Sequence, residues 1–300
     1  MTKQRSNGWL FNYLLLGLIW GSSFLFIMKG LETFSPIGIA FWRTAIGAIT
    51  LLIIMSIRRI PLPKTAKHWF LLWIGGLLMS GIPAVLFGFA ETRVSSALAS
   101  IMNASTPVFT VLAILIAFRA EKPKPQVLAG LGVGLVGVLV VLGVWNGFGE
   151  NDPLAVGALI LAVTFYGFGS PYVRKFIEPL KLPSETSVFG QVTTSALTLL
   201  PFYATGPLTV GPANWGSMLS ILALGAVGTG FAYIIYYQLL ATVGSPSASA
   251  VTYITPIVGV IIGVLLLNET IGWNEPVGAL VIILGAAVAQ GRLNRFLVRK

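Results

Sequence analysis

The chain has 300 residues, of which 56% are hydrophobic and only 9% are charged, and its mean hydropathy is +0.88. A soluble domain carries about 25% charged residues, so too little polar surface remains here to cover a water-soluble globule. The formal net charge of +10 would indicate nucleic-acid binding only if the basic residues formed a patch. The sequence contains no cysteine, which excludes disulfides, thiolate catalysis and cysteine-based metal sites.

Ten apolar segments approach the length of about 20 residues that a bilayer-spanning helix needs. Together they leave about 100 residues for short loops and tails, too few for a large soluble domain. The sequence therefore predicts an all-α membrane protein with ten transmembrane helices. With Gly, Pro and charged residues as boundaries, the predicted spans are Leu10–Met28, Pro36–Ile57, Trp69–Phe89, Ser96–Phe118, Gln126–Val144, Pro153–Val173, Ser184–Ala204, Trp215–Leu240, Ser247–Leu267 and Asn274–Gln290.

The basic residues concentrate on alternate loops. If the N-terminus is cytoplasmic, the cytoplasmic segments hold nearly all of the Lys and Arg residues, with Lys29 and Arg93 outside and Arg43 within a span. This positive-inside bias predicts a multi-pass protein of a bacterial-type cytoplasmic membrane with both termini in the cytoplasm. The expected partners are the lipid bilayer and a small-molecule substrate, not nucleic acid. The outer loops are predicted to hold acidic residues instead: Glu32, Glu91, Glu150, Asp152, Glu269 and Glu275.

The sequence contains an internal repeat. In a self-alignment Thr106-Pro107 falls on Thr255-Pro256, and Gly21, Gly130 and Gly137 fall on Gly167, Gly278 and Gly285. Chance similarity between apolar runs is the alternative, but the matched order of polar, Gly and Pro positions disfavours it. The predicted repeats are residues 1–145 and 146–300. Each holds five spans, an odd number, so the second enters the membrane in the opposite orientation, a design typical of transporters that work by alternating access.

Several motifs point to a known family. They are the segment LGLIWGSSF ending at Phe24, Ser35-Pro36, Phe41-Trp42-Arg43, the two Thr-Pro segments, and Asn268-Glu269 followed by the stretch from Gly278 to Gly285. Over almost its whole length the chain resembles the drug/metabolite transporter superfamily, EamA type. The resemblance implies a ten-helix exporter of small metabolites, often amino acids or their analogues. One departure is Tyr166-Gly167 where the family repeat has Trp-Gly, and the substrate stays open.

The two Thr-Pro segments lie near the middle of the fourth and ninth spans. Proline there removes one helical hydrogen bond and frees a carbonyl group, which in lipid requires a protein or water partner. Asn103 and Thr252 lie one turn earlier at equivalent positions. We expect these residues to line a cavity at the midplane, where repeat symmetry brings the two breaks together. The structural alternative is a kink whose carbonyl is satisfied by the Thr hydroxyl. The candidates are Asn103, Thr106, Pro107, Thr252, Thr255 and Pro256.

Three aromatic residues are further candidates for the substrate cavity. Trp20 and Tyr166 occupy equivalent positions deep in the first and sixth spans, where they serve either as a cavity wall or gate or as simple packing. Tyr233 in the eighth span offers stacking and a hydroxyl that needs a partner when buried. Ser23, one turn after Trp20, completes the predicted cavity.

Arg43 is a charge inside a span, which is costly unless it is paired or hydrated. We expect a gating or structural role, and the resemblance also places an Arg at this position. No Asp or Glu is predicted near the midplane, and the single histidine, His68, lies at a span edge. The sequence therefore predicts facilitated diffusion or exchange without a carboxylate that couples transport to protons.

The leading interpretation is a transmembrane transporter that exports amino acids or related amphipathic solutes. No catalytic, cofactor-binding or metal-binding residues are predicted. A membrane-embedded enzyme would need a nucleophile, metal ligands or a carboxylate pair, and the sequence offers none of these in a convincing pattern. A channel-like or structural membrane protein is the other alternative. The oligomeric state stays open.

Overall fold

The computed structural model describes residues 8–118, 125–146, 152–207, 209–243 and 249–289, and within them every regular element is a helix. A π-helical turn, Leu77–Gly81, joins α3 to α4 without a break. The helices of the N-terminal half are α1 (Gly8–Gly30), α2 (Pro36–Arg58), α3 (Ala66–Gly76), α4 (Ile82–Glu91), α5 (Ser96–Asn103), α6 (Thr106–Ile116) and α7 (Pro125–Val141).

The C-terminal half begins at Asp152, whose carboxylate caps the next helix by accepting from the backbone N–H of Leu154 at 2.7 Å. Two further π-helical segments follow: Val173–Ile177 continues α8, and Ala223–Phe231 joins α10 to α11. The helices are α8 (Pro153–Tyr172), α9 (Ser184–Thr205), α10 (Trp215–Leu222), α11 (Ala232–Val243), α12 (Thr255–Leu267) and α13 (Asn274–Ala289).

Within the described part of the chain, five helical stretches are long and apolar enough to cross a membrane: Trp9–Gly30, Pro36–Arg58, Ala66–Glu91, Pro153–Leu180 and Trp215–Tyr236. The pair α5 and α6, bent by 41°, makes a sixth. Each remaining predicted span also corresponds to a described helix. Of these, α7, α12 and α13 are apolar but shorter, and α9 has 22 residues and many hydroxyl side chains. At about 1.5 Å per residue, α7 reaches roughly 26 Å, close to the roughly 30 Å hydrocarbon core of a bilayer.

The predicted breaks at the two Thr-Pro segments are confirmed. Proline lies in the first turn of both α6 and α12, where its missing N–H leaves no hydrogen bond unmade. Before α12 the chain forms a short 3₁₀ helix, Ser249–Tyr253. Both breaks therefore begin a new helix at the threonine that precedes the proline.

The two halves of the chain pack against each other along most of their helices. The most extensive contact joins α7 and α13, α2 packs on α9, and α1 and α5 both pack on α12. Glycines allow the closest approach: a Cβ atom at Gly137 would lie 2.6 Å from the backbone N of Ile282, and one at Gly285 would lie 2.8 Å from the carbonyl oxygen of Gly130. Small residues at helix contacts are typical of membrane bundles.

A second pair of glycine contacts recurs at aligned positions. A Cβ atom at Gly21 would lie 2.5 Å from the Cβ of Val258, and one at Gly167 would lie 2.7 Å from the carbonyl carbon of Phe109. Val258 and Phe109 each lie three residues after the threonine of a Thr-Pro segment. Thus α1 lies against α12 as α8 lies against α6.

Candidate functional site

The threonines of the two Thr-Pro segments close the breaks that the prolines create. The hydroxyl of Thr106 donates to the carbonyl of Asn103 at 2.7 Å, and that of Thr255 donates to the carbonyl of Thr252 at 2.9 Å. This is the contact that the structural alternative predicts for both threonines. Two of the six candidates, Thr255 and Pro256, are buried. The other four are half-buried: Asn103, Thr106, Pro107 and Thr252. Solute binding by these six residues stays a prediction.

Trp20 lies in an aromatic group formed by both halves of the chain. Its ring centroid is 6.1 Å from that of Tyr233, edge to face, and 5.5 Å from that of Tyr236. Such geometries are favourable for aromatic pairs. Ser23, on the next turn of α1, is 5% exposed and donates to the carbonyl of Ile19 at 3.2 Å. The structure therefore brings Trp20 and Tyr233 together, although the two residues are far apart in the sequence.

Arg43 reaches from α2 to the π-helical segment Ala223–Phe231. Its Nε donates to the hydroxyl of Thr229 at 3.3 Å, and that hydroxyl donates to the carbonyl of Leu224 five residues earlier at 3.1 Å. A π-helical segment widens the helix and frees such carbonyls, and it is often found at functional sites. Arg43 also lies within electrostatic reach of Tyr166 and Tyr233.

Tyr166 completes this region from α8. Its ring centroid is 6.0 Å from that of Phe87, which in turn lies 5.7 Å from Phe24. We call five half-buried residues of this region the central cluster: Trp20, Arg43, Tyr166, Tyr233 and Tyr236. The cluster combines four aromatic faces with one guanidinium group, a chemistry suited to an amphipathic solute that bears a carboxylate.

Several residues near the central cluster were missed by the sequence reasoning. Ser80, in the π-helical turn Leu77–Gly81, interacts with Tyr233, and Thr229 holds Arg43. The glycines near these two segments were the available signal: Gly75, Gly76, Gly81, Gly225, Gly228 and Gly230. Glu269 was predicted to lie in an outer loop, and it caps α5 by accepting from the backbone N–H of Ser96 at 2.7 Å and of Ala97 at 3.0 Å.

The prediction for Glu91 was wrong. Its carboxylate was expected in an outer loop, but Glu91 is the last residue of α4 and is 2% exposed. Neither carboxylate oxygen has a hydrogen-bond partner among the described residues. The helix continues further than the hydropathy pattern indicates, and its last turn is covered by neighbouring helices. A buried carboxyl group therefore lies within a candidate span, Ala66–Glu91.

A cavity of about 410 Å³ lies outside the central cluster. It is lined by side chains of α8 together with residues from the π-helical turn and the end of the fourth predicted span: Leu78, Phe118, Leu161, Thr164, Phe165, Phe168 and Tyr172. Its lining is apolar, and none of the residues predicted to bind solute belongs to it. We therefore place the candidate site at the central cluster, where polar and aromatic groups converge.

Comparisons with known proteins identify the family and several relatives. The EamA-like transporter family matches residues 7–143 and 153–290. The chain is 26% identical to an uncharacterized transporter of Archaeoglobus fulgidus over 93% of this chain and 96% of the relative. It is 25% identical to a probable amino-acid metabolite efflux pump of Salmonella typhimurium over 94% of each chain.

Two further comparisons extend this result. The chain is 24% identical to the uncharacterized inner membrane transporter YedA of Escherichia coli, over 94% of this chain and 90% of the relative. A solved crystal structure, 19% identical, superposes with a TM-score of 0.65 over 97% of this chain and 99% of the other, which supports the fold alone. The names of the family and its members indicate a membrane transporter rather than an enzyme. The chain belongs to the EamA-like transporter family.

Proposed function

We propose that the chain is a ten-helix carrier built from two inverted five-helix repeats, residues 1–145 and 146–300, which exports amino acids or related amphipathic solutes. Two family matches of similar length support the repeats. The recurring glycine contacts support them too, since α1 packs on α12 at Gly21 as α8 packs on α6 at Gly167. An odd number of spans in each repeat requires the opposite orientations.

The observation that carries the proposal is the composition of the central cluster. The first repeat supplies Trp20 and Arg43, and the second supplies Tyr166, Tyr233 and Tyr236. A solute held between them contacts both repeats at once. Movement of one repeat against the other then exposes the solute to either side of the membrane, which is alternating access.

The chemistry of the central cluster favours small solutes with a carboxylate and an apolar part. The guanidinium of Arg43 makes one described hydrogen bond, to Thr229, so its remaining N–H groups are available for a carboxylate oxygen. The aromatic faces of Trp20 and Tyr233 then contact the apolar part. The name of the Salmonella relative, an amino-acid metabolite efflux pump, supports export.

The distribution of charge supports the proposed location. Basic residues on alternate loops support an orientation with both termini on the cytoplasmic side of a bacterial-type cytoplasmic membrane. The E. coli relative is named an inner membrane transporter. The lipid bilayer and a small-molecule solute are the proposed partners.

Efflux from cells tests the proposal. Cells that express the chain are compared with cells that lack it, and the amino acids released into the medium are quantified. We expect increased release of one or a few amino acids, abolished by Trp20→Ala at normal membrane yield. Trp215→Ala is the matched control, because Trp215 is 79% exposed at the start of α10. Equal release with and without the protein, or an unchanged Trp20→Ala variant, contradicts the proposed function and site.

A further inference from the structure

Glu91 differs from the other described acidic residues at its end of the bundle, since Glu269 and Glu275 both accept backbone N–H groups. Arg93, two residues later, is exposed and pairs with Asp152 at 3.3 Å, and Glu32 pairs with Lys29 at 2.8 Å. Glu91 is 2% exposed and has no hydrogen-bond partner among the described residues for either oxygen. A carboxylate that is buried without a partner is strongly disfavoured in its charged form. Burial therefore favours the protonated form of this group.

The side chain of Glu91 lies on the inward face of α4. Phe87 lies one turn earlier, on the same helix face, and its ring contacts Phe24 of α1 and Tyr166 of α8. Gly88 packs against Pro36 at the start of α2. Glu91 therefore ends a helix face that begins beside the central cluster.

Charged groups from two other elements lie near Glu91. Arg43 on α2 and Glu269 in the turn after α12 lie within electrostatic reach of its carboxyl group, and Tyr166 of α8 lies beside Phe87, one turn away. Both oxygens of Glu269 accept backbone N–H groups at the start of α5, an arrangement that stabilises a negative charge. Of the two neighbouring carboxyl groups, Glu269 thus has both oxygens held by backbone groups, whereas neither oxygen of Glu91 has a partner among the described residues.

We propose that Glu91 is the proton-binding site that couples solute export to proton entry. This inference rests on the proposed function, and it replaces the sequence-based expectation of transport without a coupling carboxylate. In each cycle the carboxylate of Glu91 binds one proton from the outer aqueous phase while that side is open. One solute molecule leaves to the outside in this same state. After the outer side closes and the cytoplasmic side opens, the protonated group loses the same proton to the cytoplasm and the next solute molecule binds. Arg43 links the two events, because it is within reach of both Glu91 and the solute.

Proton binding is tested without knowledge of the solute. Infrared spectra of the purified protein in lipid, at neutral pH, report the C=O stretching band of protonated carboxyl groups. We expect a component of this band in the parent protein and in Glu32→Gln that is missing from Glu91→Gln. Glu32 is the matched control, since its carboxylate is half exposed and ion-paired. An identical band in the parent and in Glu91→Gln overturns the proposal.

Coupling is tested in proteoliposomes with a mixture of labelled amino acids and an entrapped pH-sensitive dye. We expect an imposed pH gradient to accelerate solute flux in the parent and in Glu32→Gln at least several-fold, with proton movement seen by the dye. Glu91→Gln should lose this acceleration, and its rate should no longer change with pH. Glu91→Asp should regain part of the pH dependence, which separates loss of the proton site from misfolding.

The two failures are distinguishable. If Glu91→Gln still responds to the pH gradient as the parent does, the proton site is wrong although the transporter is right. If the parent moves no amino acid at all, the proposed function is wrong, and the infrared band alone then decides whether Glu91 holds a proton.

Discussion

Alanine at Gly285 tests the close packing between α7 and α13. A Cβ atom there would lie 2.7 Å from the Cα of Gly134 and 2.8 Å from the carbonyl oxygen of Gly130, whereas ordinary van der Waals contact begins at 3.4 Å. The obstructing atoms belong to the backbone, so no side-chain rotation relieves the overlap and the two helices must separate. Overpacking of this kind costs about 1–3 kcal/mol. The equivalent substitution Gly137→Ala meets the backbone of Ile282 and should cost the same.

Thermal unfolding in detergent micelles, followed by tryptophan fluorescence, measures this effect. Gly132→Ala is the matched control, because a Cβ at Gly132 of the same helix α7 meets no atom within 4 Å. Alanine also favours a helix over glycine by up to about 1 kcal/mol, so this variant should be at least as stable as the parent. Gly285→Ala and Gly137→Ala should melt several degrees lower. If all three variants melt at the same temperature, the close contact between α7 and α13 is refuted.

Three further predictions concern polar contacts. Thr229→Val removes the hydroxyl that accepts a hydrogen bond from Arg43. Because a hydrogen bond to a charged group is worth about 1.5–3 kcal/mol, amino-acid flux in proteoliposomes should fall roughly tenfold or more at normal protein yield. Unchanged flux would exclude a role for this contact. Glu269→Ala leaves two backbone N–H groups at the start of α5 unpaired and should lower the melting temperature well below that of Glu269→Gln, which keeps an acceptor; equal melting temperatures would contradict the capping role. Arg58→Ala removes the ion pair that the exposed Arg58 side chain makes with Glu185 at 3.7 Å. Such pairs contribute little to stability, so a change in unfolding free energy above about 1 kcal/mol would contradict this expectation.

Local sequence signals predict the helices well. Each predicted span corresponds to a described helix or pair of helices, because proline, glycine and capping residues end helices through local geometry. Ser35 before Pro36 is an example: its side chain accepts from the backbone N–H of Gly38 and begins α2. The breaks before Thr106 and Thr255 follow from proline chemistry in the same way.

Properties that depend on neighbouring helices were not predictable from hydropathy. Glu91 was assigned to a loop because a charged residue at the end of an apolar run usually marks one, and only the packing of α4 shows that its side chain is buried. The hydropathy pattern does not distinguish the π-helical segment Ala223–Phe231 from an α-helix. The central cluster joins Trp20 and Tyr233 from separate spans, a contact that a single sequence does not specify.

The central claim is that the chain carries amphipathic solutes through a site between its two halves. Counterflow in proteoliposomes tests this claim most directly: vesicles that contain the purified protein are loaded with an unlabelled amino acid, and uptake of the labelled amino acid is followed. We predict saturable uptake that the unlabelled amino acid inside accelerates, and that Trp20→Ala reduces while Trp215→Ala does not. A solute current that does not saturate would indicate a channel. If vesicles with and without the protein take up every amino acid equally, the claim is contradicted.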